Sequence, residues 1–532
     1  MDPVLRRAGA AGGLDPATAM KFDAALCELD EASSAAPDTP LPQEQLLQLQ
    51  HILRASCERG RDAAPFRSAF AAAGVRGLLI GFLSPTLPHQ GGHRRQQIAR
   101  TPGMLQALCG CIRRWPDDPI IADAAATAIE LMMTCHELRP VALQTPHLVD
   151  SLCAAAARSK GSSRGFSVAL APLWGLIAAG GPPVALRAVS EPGLVRAAAR
   201  AAVSADGGHL REPAHARALG FLSEALRQLL LPGAAGGEGA YLRAAATPGV
   251  ADAAARNVAH ETSLHMLMPA TKLLSILLEH HGSRAAAARA ALDAGAAPAL
   301  LRLTAHARDD VRMWAAHCVA ILANVGPARA DLLLRPAALP ALAAAIRRPG
   351  AGAPPDGCAA FAMEAAANLV AADPAAAAAF LAIALPGGVL PAFARHLDDP
   401  QDVVSIFAAR TLAALTEAAA AAGPARLAAT AAAPGLVAAV GAGLARVVQH
   451  GEGAVVSPSA RPEERPSRAE AVLIVSETAG HLAESLDRLT STGPAAVAAL
   501  GGVEGLEAAL AEFAGAPWTL DEDAAAAARV LR

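Results

Sequence analysis

Lysine and tyrosine are almost missing from this chain of 532 residues: Lys21, Lys160 and Lys272 are the only lysines, and Tyr241 is the only tyrosine. Aromatics amount to 3% although apolar residues reach 53%, and alanine supplies most of that apolar count. Strands favour β-branched and aromatic side chains, whereas alanine is the best helix former, so an all-α fold is expected. Charge of either sign is also in short supply. Net charge is -3 and the pI is near 6.6, which leaves no global electrostatic footprint for nucleic acid. All but three of the 45 basic residues are arginine. GC-rich coding produces such a skew, and it gives no single arginine special weight.

The 8 cysteines form no paired framework, and a chain this long needs no covalent staples. Reduced thiols and an intracellular setting, cytoplasm or nucleus, are expected. Cys109 and Cys111 stand two apart on one helix, about 200° around its axis, and so cannot grip one metal together. The first residues, Met1-Asp2-Pro3-Val4-Leu5-Arg6-Arg7, lack the apolar run of a signal peptide. Two uncharged stretches, Pro374–Ala394 and Leu427–Ala445, are long enough to span a membrane. Both are mostly alanine and both are interrupted by Pro and Gly, so no span is expected.

A short punctuation recurs along the chain. It reads Thr101-Pro102-Gly103-Met104-Leu105, Thr145-Pro146-His147-Leu148-Val149, Glu191-Pro192-Gly193-Leu194-Val195 and Thr247-Pro248-Gly249-Val250. It continues at Gly295, Pro336, Pro386-Gly387-Gly388 and Pro434-Gly435, with a last copy at Gly501–Leu506. The copies lie about 41 to 56 residues apart, in or near the range of armadillo and HEAT units. Each is expected to open a short apolar helix that a longer helix follows. The longer helix is clearest over Val311–Val325, where Val311, Trp314, Ala315, Cys318, Val319, Leu322 and Val325 form one apolar stripe. Asp309-Asp310 stands just before it, positioned to cap free amides.

The run from Ala294 to Val325, with Asp-Asp-Val-Arg-Met-Trp-Ala-Ala-His-Cys-Val-Ala-Ile-Leu-Ala-Asn-Val at its end, resembles an armadillo repeat. The following unit, ending Glu364-Ala365-Ala366-Ala367-Asn368-Leu369, resembles one again. The likeness is densest over 290–420 and extends over 100–450. It implies a right-handed superhelical α-solenoid of about nine armadillo-like repeats. The expected organisation is a loose segment at 1–40, a helical N-terminal cap at 41–100 and repeats over 101–449. A disordered insertion at 450–468 and a C-terminal repeat and cap at 469–532 complete it.

The resemblance also implies that the third helix of each repeat lines a concave, peptide-binding face. Aligned by their buried stripes, these helices place Asn324, Glu224, Glu279, Asn368 and Glu417 in one row. Seven residues earlier runs a second row of Arg217, Lys272, His317, Phe361 and Arg410. By the resemblance, Asn324 and Asn368 hold a peptide backbone through their amides, and the charged rows select charged side chains. Trp174 sits where nuclear-import receptors place a stacking Trp, but the matching positions elsewhere are Gly220, Ser275, Ala320, Glu364 and Ala413. That departure argues against a nuclear-import receptor.

Catalytic motifs are missing. There is no phosphate-loop pattern and no Gly-x-Ser-x-Gly elbow. His260 and His265, in a run resembling a zinc-protease motif, are five apart, about 140° around a helix where metal binding needs about 40°. No cofactor and no metal are expected. The expected function is a non-enzymatic scaffold or adaptor, monomeric on its own, that binds a partner polypeptide. The alternative is a structural subunit of a larger ciliary or cytoskeletal assembly.

Overall fold

A computed structural model describes Gln43, Glu44, Leu47, Gln50 and residues 98–114, 121–133, 135–158, 164–203, 212–260, 263–347, 357–397, 402–450, 468–516 and 519–531. The segments 1–40 and 451–467 and nearly all of 41–100, including the expected cap and insertion, lie outside the described residues. Among the described residues the chain is helix and turn, without a strand. It divides into two compact units, Met1–Asn257 with Glu261–Ile276, and Val258–His260 with Leu277–Arg532.

The repeating element is a helix triplet, and the second unit shows it most plainly. Gly326–Leu333, Ala338–Arg347 and Gly357–Val370 form one triplet, and Pro374–Ala384, Val389–Leu397 and Asp402–Ala421 the next. The first helix lies across the second, at 98° in the latter triplet and at 72° between Pro424–Ala431 and Leu436–Gln449. Third helices then stack on third helices. They are α1 (Ile121–Met133), α2 (the first arm of Arg164–Ser190), α3 (Glu212–Leu229) and α4 (Leu264–Glu279). In the second unit they are α5 (Asp309–Ala323), α6 (Gly357–Val370), α7 (Asp402–Ala421), α8 (Arg468–Thr490) and α9 (Asp521–Val530). Within the first unit α2 packs on α1 and α3; within the second, α5 to α9 pack in sequence.

Two corners build each triplet, and only one was legible as punctuation. The Pro-Gly corner sits between the first and second helices, so a helix precedes each copy as well as following it. Gly295 and its equivalents adopt the left-handed conformation there, as in Gly103 (φ 79°) and Gly388 (φ 67°). His147 occupies the same slot with φ 62°, a strain on the order of 1 kcal/mol for a residue with a Cβ. The second corner joins a third helix to the next first helix. Gly181 (φ 67°, ψ −153°), Gly423 (φ 108°, ψ 166°) and Gly493 (φ 136°, ψ −179°) occupy it, each followed by proline at the start of a helix. Asp373 fills that place with ordinary backbone angles and accepts from Ala375 N at 2.9 Å through its carboxylate.

This second corner accounts for the membrane-like composition. Phe166–Ser190 has the length and mean hydropathy (1.5) of a spanning helix. At Gly181, however, it breaks into α2 and the first helix of the next triplet, each shorter than the roughly 20 residues a span requires. The stretches Pro374–Ala394 and Leu427–Ala445 likewise contain the 98° and 72° bends.

The core is built mostly of small side chains. α6 buries Cys358, Ala359, Ala362, Met363, Ala365, Ala366 and Leu369, on nearly every side, because it is packed between neighbours. Tyr241, fully buried, donates to Ile276 O at 3.0 Å, which satisfies its hydroxyl. In α5 the expected stripe is buried at Val311, Ala315, Cys318, Val319 and Leu322. Trp314 is instead half-buried, and Val325 lies beyond the helix end. The helix also starts earlier than expected. Asp309 and Asp310 form its first turn rather than its cap, with Val311 N donating to Asp310 Oδ1 at 2.9 Å.

A Cβ added at Gly423 would meet nothing within 4 Å, so an alanine there is opposed by backbone conformation alone. The variant Gly423→Ala should lose about 1–3 kcal/mol, read as a lowered urea midpoint with helical circular dichroism retained. A midpoint equal to wild type would show that the corner does not need glycine.

Candidate partner-binding ladder

The side chains of both rows lie along the seams between successive third helices, and their chemistry differs between the units. In the first unit the charges are spent on one another. Arg217 on α3 donates to Glu130 on α1 and, at 3.0 Å, to Ser167 Oγ on α2, so one guanidinium joins three helices. Burial holds the Glu130 carboxyl above its usual range, even though Arg217 pulls it down. On α3, Glu224 is buried (6% exposed) and accepts from Arg227 at 2.6 Å, Gln228 at 2.9 Å and Lys272 of α4 at 3.1 Å. Burial alone would raise this carboxyl, but those donors together outweigh it and hold it at about 2.

Trp174 of α2 lies half-buried against α3. A Cβ at Gly220 would come within 3.0 Å of the indole, so the glycine at the position on α3 that matches Trp174 is what admits this one ring.

The second unit leaves more of the ladder open. Asn324 is exposed and ends α5 as its C-cap. Asn368, expected to face outward, is instead buried (7% exposed), with its Nδ2 donating to Ala320 O of α5 at 3.4 Å. Its amide ties two helices together. Glu224 departs from an outward-facing position for a similar reason, since three donors enclose it. Glu279, Glu417 and Arg410 are exposed. His317 of α5 stacks on Phe361 of α6, with ring centroids 4.3 Å apart, and Trp314 lies 6.3 Å from His317. Burial pushes the His317 imidazole down to about 4, so this aromatic shelf is uncharged at neutral pH. One turn beyond Phe361, burial raises the half-buried Glu364 carboxyl, with Arg410 pulling against it through space. On α8, Arg488 donates to Glu484 at 3.3 Å and to Ala413 O of α7 at 3.3 Å.

Glu130, Arg227, Gln228, Trp314 and Glu364 are not among the expected site residues. The rows themselves held the signal for Glu364, because it stands four before Asn368. His260 closes the helix Val250–His260 whereas His265 belongs to α4, so the two histidines do not share a helix.

No family model matches this chain, and no curated protein matches it. A solved structure concerned with a phosphorylation switch in the interaction between cadherin and beta-catenin is similar over 92% of this chain and 91% of its own, at 15% identity and a TM-score of 0.54. An engineered protein (18% identity, 95% of this chain, 98% of that one, TM-score 0.46) and a designed armadillo repeat protein (17%, 50%, 99%, TM-score 0.38) resemble it more loosely. The first likeness bears on the fold. Together with the helix triplets it defines the class: this is an all-α solenoid of armadillo-like helical repeats.

Because the Glu224 carboxyl titrates lower folded than unfolded, its contribution is complete above about pH 4.5 and is lost as pH falls towards 2. Glu224→Gln should therefore cost about 1–3 kcal/mol at pH 7, and about half as much at pH 3. Urea unfolding of both proteins at the two pH values checks this; an equal gap at both would contradict it.

Proposed function

We propose that this chain is a non-enzymatic interaction scaffold that holds a partner polypeptide against its third helices. The carrying observation is that Asn324, Arg410 and Glu417 are exposed, and the His317–Phe361 pair only half-buried, on a face whose helices are otherwise committed to the core. Repeat solenoids use such surfaces for extended ligands. The structure it resembles at TM-score 0.54 concerns an interaction between two proteins, cadherin and beta-catenin, which supports a polypeptide partner for this chain. The near-neutral charge favours protein over nucleic acid as that partner. Cys153 is a buried free thiol, which suits a reducing intracellular setting, cytoplasm or nucleus. The chain acts as a monomer that presents this face, without cofactor or metal.

Photo-crosslinking tests the reading. A benzophenone side chain at position 417 or 361 should give covalent adducts with a partner polypeptide in the cells that make the protein. The same group at position 379, exposed on a first helix, should give none. Adducts at 379 alone would move the binding surface off the third helices.

A further inference from the structure

Resting on the scaffold reading, we propose that the third-helix face of the second unit receives a basic polypeptide segment. One Lys or Arg side chain of the partner lies over the Phe361–His317 rings, and Glu364 is its counter-charge. The second unit offers this chemistry because its ladder is not internally neutralised. Glu364 on α6, Glu417 on α7 and Glu477 on α8 carry no hydrogen bond and no ion pair among the described residues. Against these three carboxylates stands one ladder cation without an ion pair, Arg410, while Arg488 is taken up by Glu484. The first unit is the opposite case. There Arg217 is closed by Glu130, and Lys272 and Arg227 by Glu224.

The shelf fits the same ligand. Aromatic faces attract ammonium and guanidinium groups through their quadrupole, most strongly where water is partly excluded. His317 and Phe361 are stacked and half-buried, and the imidazole is neutral at pH 7, so it does not repel a cation. Glu364 lies one turn from Phe361 on the same face of α6. A half-buried carboxylate with no donor is costly to hold in the free protein, and an incoming cation that also donates a hydrogen bond relieves that cost. Acidic segments are disfavoured by the same three carboxylates. Neutral ones can donate to Glu364 but leave its charge uncompensated.

Fluorescence anisotropy with the full chain and labelled decapeptides of alternating Lys–Thr, Gln–Thr and Glu–Thr sequence tests the assignment. The Lys–Thr peptide should bind tightest, with an affinity that falls as salt is raised. Glu364→Gln should weaken it about tenfold. Phe361→Ala should weaken it about threefold. Removing the opposing charge with Arg410→Ala should tighten it. Glu507→Gln, an exposed carboxylate on the second helix Leu506–Gly515, should leave it unchanged. Equal weakening by Glu507→Gln and Glu364→Gln would reduce the effect to bulk charge and overturn the proposal. So would equal binding of the Glu–Thr peptide. Tight binding of Gln–Thr that Phe361→Ala abolishes would keep the scaffold reading and discard the basic partner. Failure of all three peptides, together with no adduct at position 417, would discard both.

Discussion

Close approach of successive third helices through alanine is the constraint on which the rest of this molecule depends. α6 shows it best: it presents small or apolar side chains on most sides because α5 and α7 flank it. An isolated helix of that composition has nowhere to put its surface, so the triplets are stable only as a stack. Alanine also loses no side-chain entropy on burial, which suits a core assembled from many small contacts. The few large buried side chains, among them Phe166, Phe221, Phe380 and Phe393, are spread along the stack rather than gathered into one centre. Once the seams are filled, each third helix retains a single open stripe, and any function in the ladder must be written there.

Periodicity within one helix is visible in a sequence; contact across a seam is not. The Pro-Gly corner recurs with a fixed neighbourhood of apolar residues, and the α5 stripe has helical spacing, so both could be read directly. Other features escaped for identifiable reasons. The Gly-Pro corner at Gly181, Gly423 and Gly493 is shorter, and at Gly181 it sits inside an apolar run, which let Phe166–Ser190 pass as one apolar helix. Arg217 and Glu130 are 87 residues apart, and Lys272 and Glu224 are 48 apart. Nothing in one row of aligned positions says that a cation will be consumed by a carboxylate on another helix. Asn368 shows the same limit. Its alignment with Asn324 is sound as a position on the helix, yet Ala320 O of the neighbouring helix captures its amide.

Those seams divide polar residues into two kinds of work. Where a charge meets its partner across a seam, as at Glu224, the gain is local rigidity rather than much net stability. A buried ion pair repays its own desolvation only when every lone pair and proton is satisfied. Glu224 comes close to that condition, with three donors of different chemistry on two oxygens. Breaking one contact would strand the others, so the pairing fixes how α3 and α4 sit against each other. Hydroxyls play a quieter part. Thr411 donates to Phe407 O of its own helix at 2.8 Å and lies 3.2 Å from Met363 O of α6, which marks the register of one helix on the next.

Where the seam leaves a charge unmet, the free protein retains an unrelieved cost, and the location of that cost is informative. Glu364 is half-buried one turn from the Phe361–His317 stack, and Arg410 influences it only through space. The neighbouring α6 amide, Asn368, shows that this seam is tight enough to bring a side chain against the backbone of the next helix. Glu364 is therefore not idle for want of close neighbours; among the described residues, neither α5 nor α7 supplies a donor. A scaffold gains binding energy most efficiently at such a point, because the ligand removes a penalty already present instead of displacing an internal partner. On the first unit's ladder a charged ligand would first have to break Arg217 from Glu130 or Lys272 from Glu224. The two ladders share one helical plan, and the pairing of their charges, rather than their shape, separates a closed seam from an open one.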